Sequence, residues 1–291
     1  MNINQSLYPI GVVERDTGIG RDTLRVWERR YGFPEPVRNA KGERMYTAEQ
    51  LHQLQRIRRL LDQGLRPGKL LPLGEKRLDE LEASLIPEKS EQPDKHVKAV
   101  LDAISSADSG QVDVLFRQYL DSHGMQMFVL ELVIPLLRAV GELWVSGKLQ
   151  IYQEHFLSER LIRFLNIEIA NTTKNASKPR VLLATLPGEE HSLGLLMVAA
   201  ILSSHGIAAI NLGSEVPMEQ IRKAVKQFQV DILGITFSGA YQYKNIRPHL
   251  IELRQLIADD VAIWTGGEGV RRLRKLPKGV TKITSLEQLP F

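Results

Sequence analysis

From residue 178 onward the chain alternates apolar runs with amphipathic ones, and this alternation narrows the fold more than any other feature. "RVLLATL", "IAAINLG", "VDILGITFS" and "VAIWTGG" have the continuous apolar character of buried strands. "SLGLLMVAAILSSHG", "PMEQIRKAVKQFQ" and "NIRPHLIELRQLIAD" lie between them with helical character, and "VTKIT" and "SLEQL" follow the last strand. Apolar strands separated by helices predict a parallel sheet with helices on both faces. Sheets of this kind take ligands at the carboxyl ends of their strands.

One such end carries an unusual density of polar groups. "RVLLATL" stops at Pro187-Gly188, and Glu189, Glu190 and His191 follow before Gly194 and an apolar helix. A histidine beside carboxylates is a surface residue, a general base or a metal ligand. The chain has no cysteine, which excludes disulfides, thiolate metal sites and cysteine nucleophiles. No serine-centred nucleophile elbow is evident, so catalysis is a poor fit. A zinc site takes three or four ligands, more than one histidine and two carboxylates supply.

Upstream, residues 96–175 hold four amphipathic stretches joined by short breaks, which predicts a four-helix bundle. Pro135 is expected to kink the third helix or sit near its start. Residues 75–95 are highly charged, with two prolines and no aromatic residue, and read as a short helix followed by a linker.

The net charge of +4 is concentrated at the front. Residues 1–74 carry 13 Lys/Arg against 8 Asp/Glu, or +5, leaving −1 for the rest. A basic head on a neutral body is the electrostatic footprint of nucleic-acid binding. Within the head, "YPIGVVERDTG" and "RDTLRVWERRYG" read as two short helices separated by a glycine break. Ile10, Val12 and Val13 fall on the inner face of the first, and Leu24, Trp27 and Tyr31 on that of the second. "VRNAKGERMYT" fits a small hairpin, or wing, about Gly42. Thr47 with Gln50 makes a capping box for the helix that follows. In such a winged helix-turn-helix, Arg21, Thr23 and Arg25 face the bases and Arg29 and Arg30 the phosphates. Lys41 and Arg44 reach the flanking backbone from the wing, and Tyr46 packs or donates to phosphate.

Nothing at the N-terminus combines a basic segment with a long apolar one, and no apolar run reaches about 20 residues. A cytoplasmic protein with no membrane partner is expected.

The string "IGVVERDTGIGRDTLRVWERRYGFPEPVRNAKGERMYTAEQL" closely resembles the N-terminal domain of MerR-type transcriptional regulators. "TLRVWERRYG" and the Arg44-x-Tyr46 pattern carry the match. The resemblance implies a head, over 1–74, that binds a double-stranded DNA operator as a homo-oligomer.

A second resemblance covers 178–291. Glu189-x-His191-x-x-Gly194, then Thr236-x-Ser238, then Gly266-Gly267, is similar to the cobalamin-binding signature Asp-x-His-x-x-Gly, Ser-x-Leu, Gly-Gly. It implies a flavodoxin-like, doubly wound parallel sheet of the cobalamin-binding type. It also implies that His191 is the lower ligand to cobalt and that Glu189 holds its other ring nitrogen. Gly194, Gly266 and Gly267 would make room for the cofactor's nucleotide tail. Glu189 stands where the signature has aspartate. Ser238 stands where it has leucine, which makes the tail pocket more polar.

A third lies in the bundle. Trp144, nine residues, then Glu154-His155 resembles the upper-face motif of cobalamin-dependent photoreceptor repressors, the CarH/LitR group. It implies that the bundle caps adenosylcobalamin, with Trp144, Glu154 and His155 lining the pocket of the upper ligand. The best-understood members carry a histidine directly after the tryptophan, where this chain has Val145.

The function these resemblances imply is a transcriptional repressor rather than an enzyme. Its assembly, as dimer or tetramer, and its operator binding would be controlled by adenosylcobalamin and light. Two other readings stand beside it. In one, the cobalamin domain is degenerate or light-independent and a regulatory protein partner controls the head. In the other the protein takes part in corrinoid-dependent methyl transfer, where a DNA-binding head has no role.

Overall fold

The computed structural model describes residues 7–62, 64–85, 94–106, 108–145, 148–172, 177–271 and 273–289. It divides into two units, Met1–Glu91 with Gly141–Ile151 and Gln92–Val140 with Tyr152–Phe291.

In the first unit β1 (Leu7–Pro9) leads into α1 (Ile10–Thr17) and α2 (Arg21–Tyr31). The wing strands β2 (Val37–Arg38) and β3 (Arg44–Thr47) follow, then α3 (Ala48–Asp62), α4 (Pro67–Leu70) and α5 (Glu75–Leu85). Gly18 ends α1 because it takes the left-handed conformation, φ 66°, and donates its N–H to the Glu14 carbonyl. The wing turns at Gly42, φ 79°. Thr47 and Gln50 cap α3 reciprocally, at 3.1 and 3.2 Å, as their spacing predicts. Val13, Leu24, Trp27, Tyr46, Leu54, Ile57 and Leu60 form the core.

Two features go beyond the sequence reading. β1 pairs with the outer edge of β3, Tyr8 opposite Tyr46, making a three-stranded sheet of order β1-β3-β2. α5 is part of the head: Leu78 is fully buried in the same core, and buried Arg56 pairs with Asp79 at 2.5 Å and Glu82 at 2.8 Å. The charges that resemble a solvated linker are, at these positions, the counter-ions of α3. Residues 86–93 of the 75–95 segment lie outside the described residues.

The second unit begins with bundle helices α6 (Lys95–Ser105) and α7 (Ser109–Met127). Both are N-capped by aspartates: Asp94 accepts from the His96 amide and Asp108 from that of Gln111. Gly124, at φ 77° and ψ 169°, breaks α7. A π-helical segment, Phe128–Val133, then passes into α8 (Ile134–Val145), whose last residues belong to the first unit, and α9 (Ile151–Thr172) completes the helices. Pro135 therefore sits at the start of α8. Its ring would collide with the carbonyl four residues back in a regular helix, and the wider π turns accommodate it.

The rest of the unit runs β4 (Ser177–Ala184), α10 (Leu193–Ser204), β5 (Ile207–Asn211), α11 (Met218–Phe228), β6 (Ile232–Thr236), α12 (Tyr243–Leu256), β7 (Ala262–Gly266), α13 (Glu268–Arg271) and β8 (Val280–Lys282). All pairings are parallel and the order is β5-β4-β6-β7-β8. Successive residues of β4 point to opposite faces. Leu182 and Ala184 join Ile221, Val225, Leu250 and Leu253 of α11 and α12, while Val181 and Leu183 join Leu195, Ala199 and Leu202 of α10. The sheet is thus covered on both faces, which explains why its strands read as unbroken apolar runs. Among the described residues no helix is long and apolar enough to cross a membrane.

Candidate functional site

The strand order reverses beside β4, so the loops after β4 and β6 leave a crevice between their carboxyl ends, the usual ligand position in open α/β sheets. Hydrogen bonds to one side chain span it. Glu189, in the loop after β4, is only 1% exposed, and a buried carboxylate requires donors. Its Oε1 lies 2.7 Å from His191 Nδ1 and accepts from the His191 amide at 3.0 Å. From the loop after β6, Ser238 donates its amide to Oε2 at 2.6 Å and its hydroxyl to Oε1 at 3.0 Å. The Glu189 carbonyl accepts from Thr185 Oγ1 at 2.6 Å, which fixes the backbone of the same loop.

The electrostatics follow from these contacts. Burial pushes the Glu189 carboxyl up, but the hydrogen bonds from His191 and Ser238 outweigh it and hold its pKa below the usual range. An ionised Glu189 assigns a proton to His191 Nδ1. In the neutral imidazole the lone pair is then on Nε2, the tautomer required for metal ligation. The imidazole is half exposed while its partner is buried. An imidazole oriented by a buried carboxylate fits a group that brings its own metal and needs one more nitrogen.

Ser238 has a position the signature does not suggest. It does not simply add polarity to a tail pocket: it pins the carboxylate that orients His191. The same contact links the two departures, since the longer glutamate is held from the opposite loop. The glycines also separate by role. A Cβ on Gly194 would come no closer than 4.0 Å to Thr236 Oγ1, so this helix start has space. A Cβ on Gly267, at φ 93°, would fall 2.3 Å from the Phe237 carbonyl oxygen, and one on Gly266 3.3 Å from that of Ile283. Gly267 is therefore required by the close approach of two protein loops. Tyr241, which sequence reasoning did not single out, places its ring 3.7 Å from the Cβ position of Gly188 and its hydroxyl 2.7 Å from His249 Nδ1.

The bundle residues fall in different units. Glu154 and His155, in the second, pair with each other at 2.6 Å, and Ser158 donates to Glu154 at 2.7 Å. Trp144 belongs to the first, where its ring lies 5.7 Å from the guanidinium carbon of Arg59. Arg59 is buried, and burial lowers its pKa. The side chain of Val145 lies outside the described residues.

In the head, Arg21, Thr23, Arg25, Arg29, Arg30 and Lys41 are exposed. Arg21 Nε pairs with Glu14 at 2.6 Å and Arg25 with Asp22 at 2.8 Å. On the wing, Tyr46 takes the first of its two expected roles. Tyr46 is fully buried and donates its hydroxyl to Glu28 Oε1 at 2.6 Å, so it packs and does not reach phosphate. Arg44 Nε donates to the other oxygen of Glu28 at 2.9 Å, tying the wing to α2. Glu28 escaped sequence reasoning because a glutamate beside two arginines on a basic helix carries no positional signal.

Family models match three stretches of the chain. The MerR HTH regulatory family matches residues 8–70, one B12 binding domain matches 97–167, and another matches 179–278. The chain is a MerR-type helix-turn-helix domain fused to B12-binding domains. It closely matches CarH-type transcriptional repressors. The HTH-type transcriptional repressor CarH of Myxococcus xanthus is 29% identical over 269 residues, covering 91% of this chain and 90% of that protein. The repressor CarA of the same organism is 27% identical over 240 residues, covering 79% and 76%. The monomethylamine corrinoid protein of Methanosarcina barkeri is 15% identical with a TM-score of 0.50, over 65% of this chain and 92% of that one, a likeness of fold alone. The relatives that span most of the chain are transcriptional regulators, not enzymes.

Proposed function

We propose that this protein is a DNA-binding transcriptional repressor that senses cobalamin, with adenosylcobalamin as the form bound and light as the signal. The observation that carries the cofactor reading is the buried Glu189 carboxylate, held by Ser238 across the crevice and presenting His191 in the ligating tautomer. The all-parallel strand order supports a flavodoxin-like fold for this domain. His191 Nε2 would meet cobalt, and Gly194, Thr236 and Ser238 would border the nucleotide tail. Glu154 and His155, in the same unit as His191, would lie against the upper ligand. When bound, adenosylcobalamin supplies a light-labile cobalt–carbon bond.

The exposed arginines of α2 and Lys41 of the wing would hold operator DNA, and the head would act as a pair on paired half-sites. Assembly of dimers into a tetramer would raise operator affinity by multivalency. The working compartment would be the cytoplasm.

The test uses full-length protein purified in the dark with adenosylcobalamin. Its absorption spectrum, elution volume and operator affinity are recorded before and after green light. We expect a larger, tighter-binding species in the dark and its loss on illumination. If the cofactor binds while size and affinity stay constant, control passes to a partner protein. Equal affinity for operator and random duplex at moderate salt defeats the regulator reading.

Ser238 gives a finer expectation. Ser238→Ala keeps the amide donor and removes the hydroxyl, so cobalamin affinity in an absorbance titration should fall about tenfold, the low end for partners of a metal ligand. No change would show that the amide alone positions Glu189.

A further inference from the structure

On α2 the buried Leu24 and Trp27 face the head's core, and Asp22, Arg25, Val26 and Arg29 form a strip on the opposite side, at i, i+3, i+4 and i+7. Val26 is the apolar member of that strip. It is 42% exposed and takes no part in the head's core. β-Branched valine is a poorer helix former than alanine, lysine or glutamate, so helix stability gives no reason for it on a solvated face. Its surroundings narrow what could cover it. α2 carries Arg21, Arg25, Arg29 and Arg30, all exposed, and a surface with that charge suits a polyanion better than an apolar protein partner.

Two of those arginines are already engaged, Arg21 with Glu14 and Arg25 with Asp22. Each would have to share its guanidinium between that carboxylate and a base edge. Val26 has no such requirement. The apolar feature of the major groove is the 5-methyl group of thymine, which side-chain methyls contact directly. We propose that Val26 is a base-reading residue whose methyl groups pack on a thymine methyl in each half-site, adding sequence preference at a position where no hydrogen bond is made. The proposal rests on the DNA-binding reading above and names a specificity determinant within it.

The test separates the two. Wild-type full-length protein selects its operator from randomised duplexes, and each thymine of that operator is replaced in turn by uracil, which removes one methyl and leaves the hydrogen-bonding edge unchanged. Wild type should lose about fourfold in affinity at one position per half-site, the effect of one buried methyl group. Val26→Ala, a change to a better helix former on an exposed face, should still discriminate operator from random DNA and should show no loss at that position. If Val26→Ala gives the same uracil profile as wild type, Val26 does not read thymine and the DNA-binding reading survives. If wild type enriches no sequence, both fall together.

Discussion

Replacing His191 with alanine should lower cobalamin affinity by at least about 100-fold, measured by absorbance titration, because it deletes the ligand itself, whereas losing a ligand's partner costs about 10–100-fold. The geometry gives the reason. Glu189 receives the amides of His191 and Ser238, the Ser238 hydroxyl and the imidazole on two buried oxygens. Removing the imidazole takes away one of these four and leaves the loop otherwise supported, so the variant should fold. Any cofactor it retains should lack the spectrum of a histidine-ligated cobalt. Glu189→Gln should fall between this variant and wild type, since an amide can still meet His191 but no longer favours one tautomer as an anion does. Unchanged affinity and spectrum in His191→Ala would show that the histidine is a surface residue beside a structural carboxylate.

What the sequence made legible was whatever repeats. The strands β4, β6 and β7 are buried on both faces, and their apolar runs stand out without any knowledge of partners. The capping box of α3 and the glycine at the end of α1 have local signals with local causes. β1 has three residues and one partner strand, and so has no period to detect. α5 hides in charge, because Arg56 has to be seen in space before Asp79 and Glu82 become counter-ions. The site divides in the same way. His191 and Glu189 are two residues apart and were visible together. Ser238 is 49 residues further on, and its role depends on two loops meeting across a crevice. As a motif position it reads as a departure; in the structure it is a donor to the carboxylate that orients the histidine.

The head offers a similar case in Glu28, and a prediction of comparable size. Its side chain, 14% exposed, takes the Tyr46 hydroxyl on one oxygen and Arg44 Nε on the other. Burial first, and then the bond to Glu28, push the Tyr46 phenol well above its usual range, so the hydroxyl keeps its proton and has to donate it. Glu28→Ala leaves a fully buried hydroxyl without its acceptor and a half-buried guanidinium without its counter-charge. The first costs about 1–3 kcal/mol, and the second adds to it less than a fully buried ion pair would, so the head should lose roughly 2–4 kcal/mol. Tyr46→Phe removes the donor and keeps the Glu28–Arg44 pair, and should cost only about 1 kcal/mol. Hydrogen exchange at the amides of β3 reads the effect where it arises: both variants should exchange faster than wild type, Glu28→Ala by more. Cobalamin affinity, which rests on His191 and Glu189 of the other unit, should be intact in both. Operator affinity should fall with the loosened wing, because Lys41 is held in place by the hairpin that Arg44 and Tyr46 anchor to α2. Equal exchange at β3 in wild type and Glu28→Ala would mean that the core beneath the wing, not Glu28, sets its position.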